Sequence, residues 1–232
     1  MRIFVLLVLG LMIFFTACSP YAEEDIGKKF GDKGVFKGYM YSTYYYLAEE
    51  KNYSGEPATV PVLDARCLSI KRVPKGFYDD LAMQGSGKLS DGRVVSYSNQ
   101  CLCARASANG SRICYEVLDM ARYPWGRGAN NKKIVPLRTW AVDKKVIKSG
   151  SVIYAEEWDG VFIPQKEGIG GFTHDGCFIA TDVGAWIKGE HYDFNAGTRK
   201  MWKELEKVVS TRTYFSIFLD ASRCRYLKNE AN

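Results

Sequence analysis

Carboxylates are the side chains best placed to do chemistry in this 232-residue sequence. Asp182 closes the apolar run CFIAT, and Asp193 follows 11 residues later in the short run HYDF. A strand, a return loop and a second strand can hold two such carboxyl groups side by side at one face of a barrel. Two neighbouring acids raise the proton affinity of one of them, which gives a general acid near neutral pH. Aspartates beside turns are also commonly structural, so spacing alone leaves both interpretations open.

Other reactive centres have less support from the residues. Two histidines and no Gly-x-Ser-x-Gly motif argue against a serine hydrolase. His174 and His191 match no metal-ligand spacing, which favours ordinary hydrogen-bonding roles. The Cys101-Leu102-Cys103 segment is not a CxxC motif and lacks the histidine spacing of a zinc knuckle. The glycines of residues 168–171 lack the Lys-Ser/Thr ending of a phosphate loop. We therefore expect no metal and no cofactor.

The N-terminus has the features of an export signal. Met1-Arg2 precedes a 13-residue apolar run, too short for a membrane-spanning helix but typical of a signal peptide. The run ends in FTACS, which resembles a bacterial lipobox with Cys18 as the lipidated residue; cleavage nearby, with Cys18 incidental, is the alternative. These features predict an exported cell-envelope lipoprotein, held by its lipid at the outer membrane and facing the periplasm.

The cysteine count agrees with export. Of seven cysteines, six remain when Cys18 is set aside, and an even number suits three disulfides in an oxidising compartment. We expect Cys114 to pair with Cys101 or Cys103 across a local hairpin, and Cys177 to pair with Cys224. The six disulfide candidates are Cys67, Cys101, Cys103, Cys114, Cys177 and Cys224.

Composition and pattern indicate a β-rich domain around these residues. Aromatic residues make up 14% of the chain, with 15 Tyr and 12 Phe, which favours strands. The net charge of +6 comes with no long Lys/Arg run, which argues against a nucleic-acid partner. Irregular spacing without βαβ alternation favours an all-β barrel. The predicted strands are Lys37 to Leu47, Arg93 to Tyr97, Ser111 to Val117, Ser151 to Ala155, Cys177 to Thr181, His191 to Phe194 and Thr213 to Leu219.

Two helices interrupt the β pattern. A short one is expected over Phe77 to Met83. A longer amphipathic one is expected from Thr198, its cap, to Val209. Its apolar stripe is more typical of core packing than of a partner-binding groove. The stripe consists of Met201, Trp202, Leu205, Val208 and Val209.

Two segments carry a family resemblance: TWAVDKKVIKSGS, at residues 139–151, and ATDVGAWIKGEHYD, at residues 180–193. The first resembles an AVDP-x-VIP-x-G-[ST] segment, and the second resembles a DxGGAIKG signature followed by HxD or RxD. Both motifs belong to the three-aspartate ("3D") domain of MltA-like and YuiC-like lytic transglycosylases. The match is specific over residues 134–197 and looser at Thr43-Tyr44-Tyr45 and GSGKLSDGR. Ala185, Trp186 and Lys144 replace the expected Gly, Ala and Pro, and the chain between Tyr154 and Cys177 is longer than in minimal members.

The resemblance implies a fold and an organisation. The expected fold is all-β, a six-stranded double-psi β-barrel with inserted loops and a C-terminal amphipathic helix. The signal peptide would occupy residues 1–17, a tether 18–35 and the barrel domain 36–232, with the core motifs in 134–197. By motif, the three aspartates that name the domain are Asp143, Asp182 and Asp193.

The resemblance also implies a function: cleavage of the MurNAc–GlcNAc bond of peptidoglycan with formation of anhydromuramoyl ends, by a monomer acting on glycan strands. Asp193 would be the general acid and base, Asp182 would keep it protonated, and Asp143 would orient the pair or be structural. Two alternatives stay open, a non-catalytic glycan-binding or wall-loosening module and a water-using glycosidase. The candidate substrate contacts are Lys188, Trp186, Tyr192 and Gly184. Core packing is the alternative for Trp186 and Tyr192, and a solvated turn position is the alternative for Lys188.

Overall fold

The computed structural model describes residues 28–230. The predicted signal peptide and Cys18 lie outside these residues, so lipidation stays a prediction. No helix between residues 28 and 230 is both long and apolar enough to cross a membrane.

Within the described residues, strands dominate. They are β1 (Val35–Tyr45), β2 (Ala48–Glu49), β3 (Ala58–Leu63), β4 (Ser69–Pro74), β5 (Ser86–Lys88), β6 (Val94–Gln100), β7 (Ile113–Val117), β8 (Thr139–Val142), β9 (Val152–Ile163), β10 (Phe172–Asp182), β11 (His191–Asn195) and β12 (Tyr214–Leu219). The α-helices are α1 (Lys75–Gln84), α2 (Arg199–Val208) and α3 (Leu227–Glu230).

Six strands close into a barrel in the order β1-β11-β8-β10-β9-β12. Two neighbouring pairs, β1 with β11 and β8 with β10, run parallel, and the remaining pairs run antiparallel. The predicted six-stranded barrel is therefore confirmed. Large apolar side chains fill its interior, among them the fully buried Trp140, Trp158, Phe178, Tyr192 and Phe194.

A second β region, which we call the insert (residues 46–133), lies between β1 and β8. It contains the four-stranded sheet β2-β5-β6-β7, the hairpin β3–β4 and helix α1. Its own core includes the fully buried Val60, Phe77 and Leu81. Trp125 packs against barrel clusters and against a cluster of the insert, so it joins the two regions.

The predicted disulfides are present. Cys114 pairs with Cys101, at 13 residues' separation, and Cys177 pairs with Cys224, at 47. The remaining bridge, Cys67 to Cys103, connects the two ends of a 36-residue stretch of the insert. Such bridges stabilise a fold mainly by restricting the unfolded chain.

The extra residues between Tyr154 and Cys177 lengthen a hairpin. Strands β9 and β10 continue through them with register shifts, and Trp158 and Ile163 enter the barrel core with no exposed surface. Helix α2 is the predicted C-terminal amphipathic helix. The Thr198 hydroxyl accepts a hydrogen bond from the Met201 N–H, as expected for its cap. Met201 is fully buried against the barrel, whereas Val208, at the end of the predicted stripe, is 40% exposed.

Candidate functional site

The strand register brings the two predicted acids to the same central strand. Asp193 of β11 lies opposite Ala141 of β8, and Asp182, the last residue of β10, pairs with Ala141 from the other side. Since adjacent strands are about 4.8 Å apart, the two backbones are separated by roughly 10 Å. The carboxyl groups are close enough for the charge of Asp182 to raise the pKa of Asp193. Asp182 and Asp193, 11 residues apart in the chain, therefore belong to the same site.

Asp193 is held by a side chain from the neighbouring strand. Thr43 of β1 is its register partner, and the Thr43 hydroxyl donates a 2.7 Å hydrogen bond to Asp193 Oδ1. His191 Nε2 lies 2.8 Å from the same hydroxyl oxygen, and the His191 ring stacks on Tyr41 with centroids 4.5 Å apart. Imidazole, hydroxyl and carboxyl thus form a continuous hydrogen-bonded chain.

Asp182 has two donors of its own. The buried Tyr45 hydroxyl donates a 2.8 Å hydrogen bond to Asp182 Oδ2, and the Val183 N–H donates a 2.8 Å bond to Oδ1. Tyr45 packs with Ala141 and Ile187, so its hydroxyl is fixed by the barrel end and by the loop that follows Asp182.

The two acids have pKa values displaced toward neutrality. Burial raises the pKa of Asp193 to about 7, with a further contribution from the charge of Asp182, while the Thr43 hydrogen bond lowers it. Burial also raises the pKa of Asp182 to about 6, against the hydrogen bonds from Tyr45 and Val183. Near neutral pH this pair can therefore both donate and accept a proton, which general acid–base catalysis requires.

The third aspartate has a different environment. Asp143 follows β8, and its oxygens accept hydrogen bonds from the Lys145 N–H at 3.0 Å and the Gly189 N–H at 3.1 Å. These backbone bonds lower the pKa of the Asp143 carboxyl, so it stays ionised. Asp143 therefore connects the turn after β8 to the loop before β11, and its lowered pKa distinguishes it from the two acids whose pKa values are raised.

The loop of residues 183–190 presents most of the remaining predicted contacts. Trp186 is 77% exposed, whereas its neighbour Ile187 is buried and anchors the loop. Lys188 and Gly184 line the same cavity. A Cβ at Gly184 would lie 2.5 Å from Ile187 Cγ1, so glycine is what allows Ile187 to pack there.

The structure contradicts the predicted substrate contact of Tyr192. It has no exposed surface, and its ring stacks on Trp140 with centroids 3.6 Å apart, so it cannot contact a sugar. Side chains alternate along a strand, and in β11 Tyr192 points into the barrel whereas His191 and Asp193 remain partly exposed. The core-packing alternative applies to Tyr192.

Three residues of the site, Thr43, Tyr45 and His191, were not among the site residues predicted from the sequence; only a hydrogen-bonding role was expected for His191. Thr43 and Tyr45 alternate along β1 opposite β11, but only the pairing register shows that they reach the acids. His191 stands two residues before Asp193 in the HxD motif, which is the one local signal that links it to the acid.

The cysteines offer no alternative centre. The sulfurs of Cys101, Cys103 and Cys114 lie close enough together to suggest a metal site. Each of them is bound in a disulfide and so provides no thiolate ligand.

The segment that carries the three aspartates matches a known domain family. Residues 138–217, which run from before β8 into β12 and carry all three aspartates, match the model of the 3D domain family. Over these residues the chain is similar to the 3D domain family. No curated protein sequence matches the chain.

Solved structures share the fold over much more of the chain. E. coli MltA with bound chitohexaose superposes with a TM-score of 0.53 at 17% identity, covering 80% of this chain and 72% of that one. The membrane-bound lytic murein transglycosylase from Agrobacterium tumefaciens gives a TM-score of 0.52 at 12% identity, covering 82% and 76%. With 80% coverage, the similarity to each includes more than the 3D domain itself.

Proposed function

We propose that this protein is a peptidoglycan lytic transglycosylase that cleaves the MurNAc–GlcNAc glycosidic bond and leaves anhydromuramoyl ends. The observation that carries the proposal is the pair Asp182 and Asp193, with pKa values of about 6 and about 7, on a 3D-domain barrel. The lytic transglycosylase fold shared with the two solved structures supports the same reaction class.

The reaction needs one carboxyl group to act twice. Protonated Asp193 donates its proton to the glycosidic oxygen as the bond to the anomeric carbon breaks. The C6 hydroxyl of the muramoyl sugar then bonds to that carbon and returns its proton to the Asp193 carboxylate. No water is consumed, so a single acid–base group suffices, in contrast to the two carboxyl groups of water-using glycosidases.

The neighbours of Asp193 suit the two halves of this cycle. The charge of Asp182 favours the protonated form that starts the reaction. The Thr43 hydroxyl donates to the carboxylate that exists between the two proton transfers. Trp186, exposed on the adjoining loop, offers an indole face on which a sugar ring can stack.

The three disulfides support an oxidising location for this activity. With the apolar N-terminal run, they fit an exported envelope protein acting on glycan strands. Anchoring through Cys18 at the outer membrane, and a monomeric state, belong to the same proposal.

Product chemistry tests the proposal. Purified peptidoglycan is digested with the chain from residue 19, with Asp193→Asn and with Asp32→Asn, a control at an exposed aspartate. We expect anhydromuramoyl products, identified by mass spectrometry, from the wild type and the control but none from Asp193→Asn. Products heavier by one water would identify a hydrolase. Binding to sacculi without any release would identify a non-catalytic module.

A further inference from the structure

A cavity of about 320 Å³ lies between the turn that follows β8 and the loop that follows Asp182. Part of its wall is Val142, whose register partner Tyr192 precedes Asp193, and part is Val183, which follows Asp182. A substrate bound across the acids therefore has this cavity within reach. The complete lining is Val142, Asp143, Lys144, Lys145, Val183, Gly184, Ala185 and Lys188.

The charge of this cavity is positive. Three lysines line it, Lys144, Lys145 and Lys188, and all three are exposed. No ion pair within residues 28–230 involves any of the three, unlike Lys33, whose ammonium lies 2.6 Å from a Glu156 carboxylate oxygen. The one carboxylate in the lining, Asp143, interacts electrostatically with Lys145 and Lys188, so three ammonium groups share a single counter-charge.

The single carboxylate in the lining does not neutralise the lysines. The two carboxylate oxygens of Asp143 accept hydrogen bonds from the backbone N–H groups of Lys145 and Gly189. Those bonds join the turn that carries Lys144 and Lys145 to the loop that carries Lys188. Asp143 thus holds the lysine-bearing segments together, and the lining keeps a net charge of +2, from three ammonium groups and one carboxylate.

We propose that this cavity binds a carboxylate of the peptide stem on the muramoyl sugar next to the bond that is cleaved. The inference rests on the proposed function, because it uses the position of the glycan across Asp182 and Asp193. Ammonium groups attract carboxylates as point charges, and the exposed side chains of Val183 and Ala185 in the lining give the peptide an apolar wall. The site recognises the peptide decoration of the strand in addition to its sugars.

The recognition has a specific consequence for substrates. A glycan without carboxylates leaves all three ammonium groups without a partner, so it gains nothing from the cavity. A partly exposed ion pair changes affinity by roughly 1.5- to 5-fold, so loss of two such pairs lowers it about fivefold. Screening by salt weakens the contribution further, because the Debye length is about 10 Å at 0.1 M ionic strength.

Cosedimentation with sacculi tests the proposal directly. All proteins carry Asp193→Asn, so that no glycan is cleaved during the measurement, and each is tested with intact sacculi and with sacculi whose carboxyl groups have been converted to methylamides. We expect intact sacculi to be bound about fivefold more tightly, and Lys144→Gln/Lys145→Gln to remove that preference. The matched control Lys37→Gln/Lys203→Gln removes the same charge at exposed positions outside the cavity lining and retains the preference.

A third preparation distinguishes the source of the carboxylate. Amidase-stripped glycan lacks the stems but bears the lactyl carboxylates of muramic acid. If it supports the full lysine-dependent preference, the stem assignment is wrong. Equal binding to intact and methylamidated sacculi, or an equal loss in the control variant, would overturn the site itself. The measurement does not use turnover, so an inactive wild type would refute the proposed function while leaving this test intact.

Discussion

Removal of the Thr43 hydroxyl tests how the site tunes its acid. Thr43→Val keeps the side-chain shape but deletes the donor that lies 2.7 Å from Asp193 Oδ1. A hydrogen bond to a charged group contributes about 1.5–3 kcal/mol, and one pKa unit corresponds to about 1.4 kcal/mol. Because Asp193 is partly exposed, we take the lower end of that range and expect its pKa to rise from about 7 by about one unit.

The direction of the kinetic effect follows from the role of the acid. In the proposed mechanism Asp193 must be protonated to begin the reaction, so we expect kcat/KM to fall as pH rises through its pKa. In Thr43→Val this alkaline limb moves up by about one pH unit. The rate on the plateau falls by up to tenfold, because the carboxylate formed by proton transfer has lost its donor and Asp193 has become a weaker acid.

The assay is the initial rate of muropeptide release at low substrate, measured across the pH range for wild type, Thr43→Val and Thr173→Val. Thr173 is an exposed threonine of β10 without a contact to the acids, so its profile matches the wild type. An unmoved alkaline limb in Thr43→Val, with the protein folded, would refute the assignment of Asp193 as the group titrating near 7. A limb that moves down would refute the sign of the Thr43 contribution.

Three further predictions concern separate parts of the structure. Asp182→Asn moves the alkaline limb of kcat/KM below 7, since the Asp182 charge no longer raises the pKa of Asp193; a rise would contradict this coupling. Trp186→Ala raises KM about fivefold and leaves the melting temperature unchanged, because the indole is 77% exposed; a lowered melting temperature would mean that it packs instead. Cys177→Ala/Cys224→Ala, which opens a 47-residue link, lowers the free energy of unfolding in urea by about 4 kcal/mol, and no loss would show that the bridge is absent.

The sequence predicts the barrel well where the strands are long. The predicted strand Lys37 to Leu47 corresponds to β1, and Cys177 to Thr181 falls within β10, because runs of apolar and aromatic residues mark them. Strand β8 was not predicted from its pattern. Its four residues, Thr139–Val142, are all buried, so they show no alternation of polar and apolar side chains.

In the insert, local sequence patterns fail to predict several short strands. Strand β7 was predicted in full and β6 and α1 in part, whereas β2, β3, β4 and β5 were not predicted. Strands β2 and β5 have two and three residues, too few for a periodic pattern. They form because parallel pairing of Ala48 with Gly87 completes a sheet that α1 contacts through both strands.

The site residues, too, were only partly predictable from the sequence. Asp182 and Asp193 were identified from motifs, but the same reasoning placed Tyr192 among the substrate contacts. One position along a strand reverses the direction of a side chain, and the burial of Tyr192 against Trp140 depends on which face of β11 meets the core.

Local sequence patterns indicate the two acids of the proposed proton transfer and five of the six barrel strands, at least in part. Those features depend on neighbours in the chain. Tertiary packing, in contrast, brings the Thr43 hydroxyl to Asp193 from a strand 150 residues away, and the burial of Asp182 and Asp193 brings their pKa values near neutrality. Both depend on strand register and desolvation, which exist only after distant segments have packed together.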